Sequence, residues 1–265
     1  MAGITASICI ATYNKPKYLK RVLDSIVSQS PSFDYEVIVV DDGSPEIETE
    51  LVCLSYGDSN IRYYRINRDP GYRNPAVARN YAYNMSNGEI LILQSDDVVH
   101  IGNCIENLVE LLEEGKFVIS TVYNVDFNTG QPAYYQKYWF QFTGPVMNRS
   151  HSPNPTRPLF FLGSVYKKDV FAVGGCDEDF VDPGREDIWF ADCLMKGRGL
   201  EPKYVSGVIG HHLDHKRPND LSKRAAKSAL MYLKKVGEAK KSGVWRARKG
   251  LSGVGIMSAA PVIPI

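Results

Sequence analysis

The chain has 265 residues and a formal net charge of +1, with 44% hydrophobic and 23% charged residues, 22 Gly and 15 Pro. This length supports one large or two small domains with a sizeable core, and the composition excludes wholesale disorder and collagen-like repetition. The five cysteines are odd in number, far apart and never in a CxxC pair, which argues against a disulfide framework and a cysteine-based zinc site. We therefore expect a reducing compartment.

The near-zero net charge hides an uneven distribution along the chain. Twelve Lys and Arg lie between Lys216 and Lys249 against only Asp220 and Glu238, so this segment carries +10 and the remainder −9. The N-terminus lacks the basic region of a secretory signal, and no run of about 18 apolar residues is present. The sequence therefore predicts a cytoplasmic protein without a transmembrane helix.

Strand-like and helix-like segments alternate through the first half of the chain. The apolar runs predict strands at Ser7–Ala11, Glu36–Val40, Ile61–Ile66, Glu89–Leu93 and Phe117–Val125. Helical spacing predicts helices after Pro16, at Pro45–Leu54, at Ala76–Met85 and around Ile101–Leu112. Such alternation is typical of an α/β/α sandwich with a mostly parallel central sheet, similar to a Rossmann fold.

The pattern changes after Val125. An aromatic stretch at 134–140 leads into a loop at 144–158 that is long enough to be a lid or an acceptor loop. A strand at 159–166 and helices at 168–173 and 187–195 complete a first unit, residues 1–215. Residues 216–265 are predicted to form one basic amphipathic helix and an apolar tail; the helix's apolar positions are Leu221, Ala225, Leu230, Leu233 and Val236.

Polar residues follow three of the predicted strands. In an open α/β sheet, ligands bind beyond the carboxyl ends of the strands, so these residues are candidates for a site. Asp96 and Asp97 offer hard oxygen ligands for Mg²⁺ or Mn²⁺ together with phosphate oxygens, although aspartates also cap helices and form turns. The coincidence at three strand ends favours a ligand site; its members are Thr12, Tyr13, Asn14, Asp41, Asp42, Ser95, Asp96 and Asp97.

Several motifs in register carry a family resemblance. They are Ser7–Asn14, Glu36–Ser44, Ala78-Arg79-Asn80 with Gly88-Glu89, Ser95-Asp96-Asp97, Gly174–Glu178 and Glu186-Asp187. In this order the motifs resemble the inverting family 2 glycosyltransferases with a GT-A fold, over roughly residues 5–215. Each motif is weak when considered alone, and together they are specific.

The resemblance implies a nucleotide-diphosphate sugar donor, with a UDP-sugar favoured, and a Mn²⁺ or Mg²⁺ cofactor. It places Asp97 on the metal together with a histidine, His212 in an HxxH pattern with His215, while the choice among His211, His212 and His215 stays open. The commoner family pattern is Asp-x-Asp-Asp. This chain has Gln94 in place of the first aspartate, so it lacks one negative charge there. The implied donor contacts are Thr12, Tyr13, Asn14, Asp42, Arg79, Ser95 and Asp96.

The resemblance also implies the catalytic pair. Asp187 is the expected base that removes the acceptor proton, with Glu186 beside it on substrate hydroxyls. Without the resemblance, both are equally well explained as acids at a helix start. Possible acceptor or phosphate contacts are Trp189, His215, Arg217, Tyr134, Tyr138, Trp139, Arg149, His151 and Arg157; core packing or solvation is the alternative for each.

The basic segment has two interpretations. Lysines on an amphipathic helix would favour an anionic membrane surface at the inner face, where lipid-linked acceptors reside; otherwise the helix is solvated and packs on the body. Nucleic-acid binding is not expected, because no RNA-binding motif or helix-turn-helix pattern is present.

The sequence thus predicts a metal-dependent glycosyltransferase of polysaccharide biosynthesis that acts on a glycan or lipid-linked hydroxyl. The alternative is a catalytically inactive nucleotide- or carbohydrate-binding module on the same fold. A dinucleotide-dependent oxidoreductase is excluded, because the loop at 11–18 lacks the glycines of a GxGxxG turn.

Overall fold

The computed structural model describes residues 3–57, 60–69, 71–133, 141–143, 158–217 and 219–251. Within these residues the strands are β1 (Ala6–Thr12), β2 (Tyr35–Asp41), β3 (Ile61–Arg65), β4 (Ile90–Ser95), β5 (Val98–Ile101), β6 (Lys116–Val125), β7 (Gln141–Thr143), β8 (Leu162–Tyr166) and β9 (Glu201–Leu213). The helices are α1 (Pro16–Val27), α2 (Glu48–Leu54), α3 (Ala76–Met85), α4 (Cys104–Glu110), α5 (Lys167–Ala172), α6 (Glu186–Asp192) and α7 (Leu221–Ser242), and a π-helical turn, Cys193–Gly197, follows α6.

One mixed sheet organises the described residues. Its strand order is β3-β2-β1-β4-β8-β6-β9-β5, and β7 pairs with β6. Parallel pairing joins β3, β2, β1 and β4, and also β6 and β9. The remaining pairs, including β4 with β8 and β5 with β9, are antiparallel. The predicted α/β/α fold is confirmed, and its parallel half is the part that the alternating pattern predicts.

The sheet is buried on both faces because its central strands carry mainly apolar residues on both faces. In β2, Val37 and Val39 enter one core layer while Ile38 and Val40 enter the other. Helices α1 and α4 cover the first layer, and α3, α6 and α7 cover the second. Helix α1 shows why the local sequence folds in this way: Pro16 fits the first turn, and the helical spacing that starts at Leu19 gives one buried stripe.

Among the strands that the sequence analysis did not predict, β5 and β9 matter most for the site. Strand β9 contains a proline and two glycines, residue types that normally interrupt strands, so its sequence gives little strand signal. Strand β5 occupies Val98–Ile101, and for that reason the helix predicted from Ile101 begins at Cys104 instead. These two strands pair with each other, and their pairing shapes the functional site.

Helix α7 packs against the body through a face that differs from the predicted apolar stripe. Leu230 and Leu233 are 69% and 63% exposed. The buried side contains Lys235 instead, whose Nζ lies 2.6 Å from Asp177 Oδ2 and 2.8 Å from Asp179 Oδ2. A buried lysine is tolerated here because two carboxylates neutralise it.

The chain beyond α7 also packs on the body, as far as the structure describes it. The Ala247 amide donates to the Val173 carbonyl at 2.8 Å, and the Leu251 amide donates to the Gly174 carbonyl at 2.9 Å. All five cysteines are buried and unpaired. Among the described helices, none combines the length and apolarity needed to cross a membrane. Tyr134, Tyr138, Trp139, Arg149, His151 and Arg157 lie outside the described residues.

Candidate functional site

The sheet register brings the three predicted strand ends together. Thr12 pairs with Asp41 across β1 and β2, and Ala11 pairs with Ser95 across β1 and β4. The Thr12 hydroxyl donates to Asp96 Oδ2 at 2.9 Å, which connects two of these ends directly. The polar residues that follow the three strands therefore share one edge of the sheet.

The two aspartates after β2 have different surroundings. Asp41 Oδ1 accepts from the amide and the hydroxyl of Ser44 at 2.8 and 2.7 Å, so Asp41 holds the turn. Asp42 is buried, with Arg68 Nη1 2.7 Å from its Oδ1. Burial raises the pKa of Asp42 despite the opposing charges of Arg68 and Arg73. The arginine at 68 was not singled out from the sequence.

A compact group of three potential metal ligands lies beside these strand ends. Asp97, His212 and His215 each place a ligand atom within 4.8 Å of the others. His212 Nε2 lies 3.5 Å from Asp97 Oδ1, and His215 Nε2 lies 3.2 Å from Asp97 Oδ2. The β5–β9 pairing creates this group, since Val98 lies opposite His212. His211, the neighbouring residue on β9, belongs to the opposite face of the strand and is absent from the group.

Hydrogen bonds orient both imidazole rings toward Asp97. His212 Nδ1 lies 2.7 Å from Asn124 Oδ1, and His215 Nδ1 lies 3.0 Å from the Lys216 carbonyl. Because both partners are acceptors, each Nδ1 is assigned as the protonated nitrogen, and each Nε2 then presents its lone pair to Asp97. Outer hydrogen bonds of this kind commonly fix metal-ligating histidines.

The electrostatics of this group also suit a cation. Burial lowers the pKa of His212 to about 4, which keeps the ring neutral at physiological pH. Asp97 Oδ1 is buried and has no hydrogen-bond partner among the described residues. A buried carboxylate oxygen beside two imidazole nitrogens fits Mn²⁺ or Mg²⁺, so the residues present match the cofactor that the fold family implies.

Lys15, which the sequence analysis did not single out, lies within this group. Its Nζ lies 2.6 Å from Asp97 Oδ2 and 3.1 Å from Asp96 Oδ1. Burial disfavours charge on Asp97, yet nearby positive charge, chiefly that of Lys15, outweighs that effect and holds the pKa of Asp97 well below its ordinary value. For Asp96, burial outweighs Lys15 and raises the pKa. The sequence signal that could have identified Lys15 is its position directly after the polar residues Thr12, Tyr13 and Asn14.

Gln94, at the departure from the Asp-x-Asp-Asp pattern, does not belong to the group. Its Nε2 donates to the Val98 carbonyl at 2.8 Å, and its Oε1 lies 2.8 Å from His100 Nε2. These hydrogen bonds of the Gln94 side chain stabilise the turn that contains Asp96 and Asp97. Gln94 has a structural role in this arrangement.

The predicted catalytic pair lies at the start of α6. Arg79 Nη1 is 3.5 Å from Glu186 Oε1, while Glu186 Oε2 is buried without a hydrogen-bond partner among the described residues. Asp187 Oδ1 accepts from the Ile188 amide at 2.7 Å. Burial, and secondly the charge of Glu186, raise the pKa of Asp187 to about 7. The two neighbouring acids thus have different partners, and Asp187 holds a proton more tightly than an ordinary aspartate does.

Asn80 connects this pair to the glycine motif. Its side-chain amide donates to the Cys176 carbonyl at 2.8 Å and accepts from the Cys176 amide at 2.8 Å. The motif passes close to α3 because Gly175 has φ +70°, and a Cβ there would lie 2.4 Å from Asn80 Oδ1. The motif therefore fixes the loop that leads into α6.

The other predicted residues occupy varied positions. Tyr13 is half-buried and Asn14 is exposed with φ 51°, while the Ser95 amide donates to the Phe161 carbonyl. Trp189 is only 3% exposed and packs on Trp245, with ring centroids 5.7 Å apart.

Tyr72, which the sequence analysis did not single out, is within electrostatic range of both parts of the site. Partial burial is the largest effect on the pKa of Tyr72 and raises it. Lys15 and Arg217 act in the opposite direction, whereas Asp96 and Glu186 raise the pKa further. Its electrostatic neighbours thus include residues from the Asp97 group and from α6. The strand-end residues and the start of α6 are therefore both close enough to Tyr72 to influence its ionisation.

Known proteins share this sequence pattern and fold. The family model described as "Glycosyl transferase family 2" matches residues 7–174. An uncharacterized glycosyltransferase of Rickettsia typhi is 34% identical over 192 residues, which cover 69% of this chain and 57% of that protein. The chain spans about half or less of the first curated relatives that it matches.

Two solved structures share the fold at low sequence identity. GalNAc-T7 with UDP, GalNAc and Mn²⁺ has a TM-score of 0.67 at 16% identity, covering 90% of this chain and 50% of that chain. The mannosyltransferase PcManGT from Pyrobaculum calidifontis with GDP-Man and Mn²⁺ has a TM-score of 0.59 at 18% identity, covering 90% and 67%. These likenesses support the GT-A architecture. With the family model matching well over half of its residues, the chain belongs to glycosyl transferase family 2.

Proposed function

We propose that the chain is a metal-dependent inverting glycosyltransferase that moves a sugar from a nucleotide-diphosphate donor to a hydroxyl of a glycan or lipid-linked acceptor. The observation that carries this proposal is the Asp97–His212–His215 group beside the strand ends. UDP is the favoured donor nucleotide. The presence of UDP in one structural neighbour supports that choice, while the other neighbour contains GDP-Man.

Donor binding is assigned to the strand-end residues. Asp97, His212 and His215 would hold Mn²⁺ or Mg²⁺, which when bound offsets charge on the leaving diphosphate. Both structural neighbours contain Mn²⁺, which favours that ion. The remaining donor contacts in this proposal are Thr12, Tyr13, Asn14, Asp42, Arg79, Ser95 and Asp96.

The chemical step is a single displacement at the anomeric carbon. The acceptor oxygen attacks opposite the diphosphate, the new C–O bond forms as the bond to the diphosphate oxygen breaks, and the acceptor proton passes to Asp187. A pKa of about 7 makes Asp187 a suitable proton acceptor near neutral pH. Glu186 Oε2, which is buried and unbonded among the described residues, would accept a hydrogen bond from a substrate hydroxyl.

A nucleotide-binding experiment tests this proposal. Thermal shifts are measured with UDP, GDP, CDP and dTDP, with and without Mn²⁺, for the wild type, Asp97→Ala and the control Asp34→Ala, an exposed residue ahead of β2. We expect a shift with one nucleotide that requires both Mn²⁺ and Asp97. Binding without any transfer or hydrolysis of the matching nucleotide sugar would favour the inactive binding module, and no shift with any nucleotide would overturn the donor site.

We also propose that residues 1–215 form the catalytic domain and that residues 216–265 form an extension that meets an anionic membrane surface. The outward side of α7 combines two exposed leucines with lysines; these residues are Leu230, Leu233, Lys223, Lys227, Lys234, Lys240 and Lys241. Apolar side chains bordered by lysines match the interfacial region of an anionic bilayer. The inner side, with Lys235, remains packed on the body.

Vesicle sedimentation tests the membrane proposal. We expect the wild type to sediment with vesicles of phosphatidylglycerol and phosphatidylcholine and not with phosphatidylcholine alone. The double variant Leu230→Ser/Leu233→Ser should bind more weakly, while Leu51→Ser, an exposed leucine on α2, serves as the control. Equal sedimentation of both variants would contradict the assignment to α7.

A further inference from the structure

The ammonium group of Lys15 has three acceptors within the proposed metal site. Besides Asp96 Oδ1 at 3.1 Å and Asp97 Oδ2 at 2.6 Å, its Nζ lies 3.4 Å from His215 Nε2. An ammonium carries three N–H donors and no acceptor. The match between three donors and three acceptors makes Lys15 an internal cation of this site.

Lys15 and a divalent metal would use the same atoms. Asp97 Oδ2 and His215 Nε2 contact the Lys15 ammonium, and both belong to the ligand set assigned above to the metal. His215 Nδ1 is directed to the Lys216 carbonyl, so Nε2 is the nitrogen available to either cation. Two cations in contact with one carboxylate oxygen repel each other strongly at a site with little water.

The position of Lys15 would allow its ammonium group to move away from Asp97. The residue precedes Pro16 at the start of α1, and its side chain is about one-fifth exposed. A lysine has a long, flexible stem that lets the ammonium leave one carboxylate for another anion nearby. A nucleotide diphosphate placed beyond the strand ends would supply such an anion.

We propose that Lys15 competes with the metal for Asp97 and His215 and that the donor diphosphate accepts the displaced ammonium. The metal alone then binds weakly, and metal and donor bind tightly only together. This inference rests on the proposed function, because it assumes that the Asp97 group is the metal site. The competition from Lys15 would disfavour metal binding before the donor binds.

Mn²⁺ titration without nucleotide tests the competition. Free Mn²⁺ is followed by electron paramagnetic resonance for the wild type, Lys15→Met, Lys15→Arg and the control Lys17→Met, which replaces an exposed lysine in the first turn of α1. We expect Lys15→Met to bind Mn²⁺ at least tenfold more tightly than the wild type. Lys15→Arg and Lys17→Met should stay close to the wild type, because the first keeps the local cation and the second removes an exposed charge outside the Asp97–His212–His215 group.

Three further measurements make the outcomes distinct. The difference between Lys15→Met and the wild type should persist at about 1 M salt, where the Debye length is about 3 Å and repulsion between exposed charges is screened. Addition of the nucleoside diphosphate should tighten Mn²⁺ binding more in the wild type than in Lys15→Met. Circular dichroism confirms that each variant is folded.

Each result has a definite meaning. Equal Mn²⁺ affinity in folded Lys15→Met and wild type, with binding abolished by His212→Ala, would refute the competition and leave the metal site intact. Mn²⁺ binding that is absent, or unchanged by His212→Ala, would instead refute the metal site on which both proposals depend.

Discussion

The replacement Asp187→Asn should raise the stability of the protein and lower its catalytic turnover. The side chains are nearly equal in size, and the asparagine oxygen can still accept the 2.7 Å hydrogen bond from the Ile188 amide. The change removes a carboxylate that burial and the neighbouring Glu186 disfavour. We therefore expect a variant that is more stable at alkaline pH and slower in turnover.

The size of the stability gain follows from the raised pKa. A rise from 3.8 to about 7 corresponds to at most ~4 kcal/mol, at ~1.4 kcal/mol for each pKa unit. Because Asp187 keeps some solvent contact, the expected gain is ~1–3 kcal/mol at pH 8. Between pH 4 and 7 the native state retains a proton that the unfolded chain has released, so wild-type stability falls as pH rises through this window. The advantage of the variant should therefore be absent near pH 4 and complete above pH 7.

Two assays check this prediction. Denaturant unfolding at pH 5 and pH 8 gives the free energy of unfolding of the wild type, Asp187→Asn and Glu186→Gln. The last variant is a contrast, since it weakens a buried ion pair with Arg79 at 3.5 Å and should destabilise the fold. Initial rates with the matching donor should fall by ~10²-fold or more in Asp187→Asn. Wild-type kcat/KM should fall as the pH is lowered through about 7, because protonation removes the base. The residual activity of Asp187→Asn should not show this fall.

Two results would refute the reasoning. A loss of stability in Asp187→Asn at pH 8 would mean that the carboxylate has a favourable partner and carries no electrostatic cost. A wild-type acid limb that is unchanged in Asp187→Asn would remove Asp187 from the role of base.

Three other substitutions test the surroundings of the site. Gly175→Ala requires a left-handed alanine with its Cβ 2.4 Å from Asn80 Oδ1, so it should lower the free energy of unfolding by ~2 kcal/mol or more, measured in urea. Gln94→Asp restores the commoner acidic residue, but the side chain at this position is directed to Val98 and His100; we expect unchanged Mn²⁺ affinity in titrations and lower thermal stability. Lys235→Ala leaves two aspartates without their buried cation and should cost ~3–5 kcal/mol, whereas the exposed Lys234→Ala should cost little, both measured by denaturant unfolding.

The sequence by itself determined the parallel half of the fold and the strand-end residues. Continuous β-branched runs such as Val37–Val40 specify strands that are buried on both faces, and helical apolar spacing specifies α1. Parallel strands place their carboxyl ends at one edge, so the proximity of Thr12 and Asp96 follows from local pattern alone. Each of the strands and helices behind these features is specified by residues that are close together in the chain.

Only the tertiary structure decided which residues complete the site. His212 reaches Asp97 because β9 pairs with β5, and neither strand has a clear local signal. Lys15 lies between Asp96 and Asp97, more than 80 positions away in the chain, and no spacing rule connects them. The buried face of α7 combines Ala239 and the partly buried Tyr232 with Lys235, which pairs with distant aspartates, while Leu230 and Leu233 stay exposed. Long-range pairing and charge neutralisation depend on the packed chain, and local periodicity does not encode them.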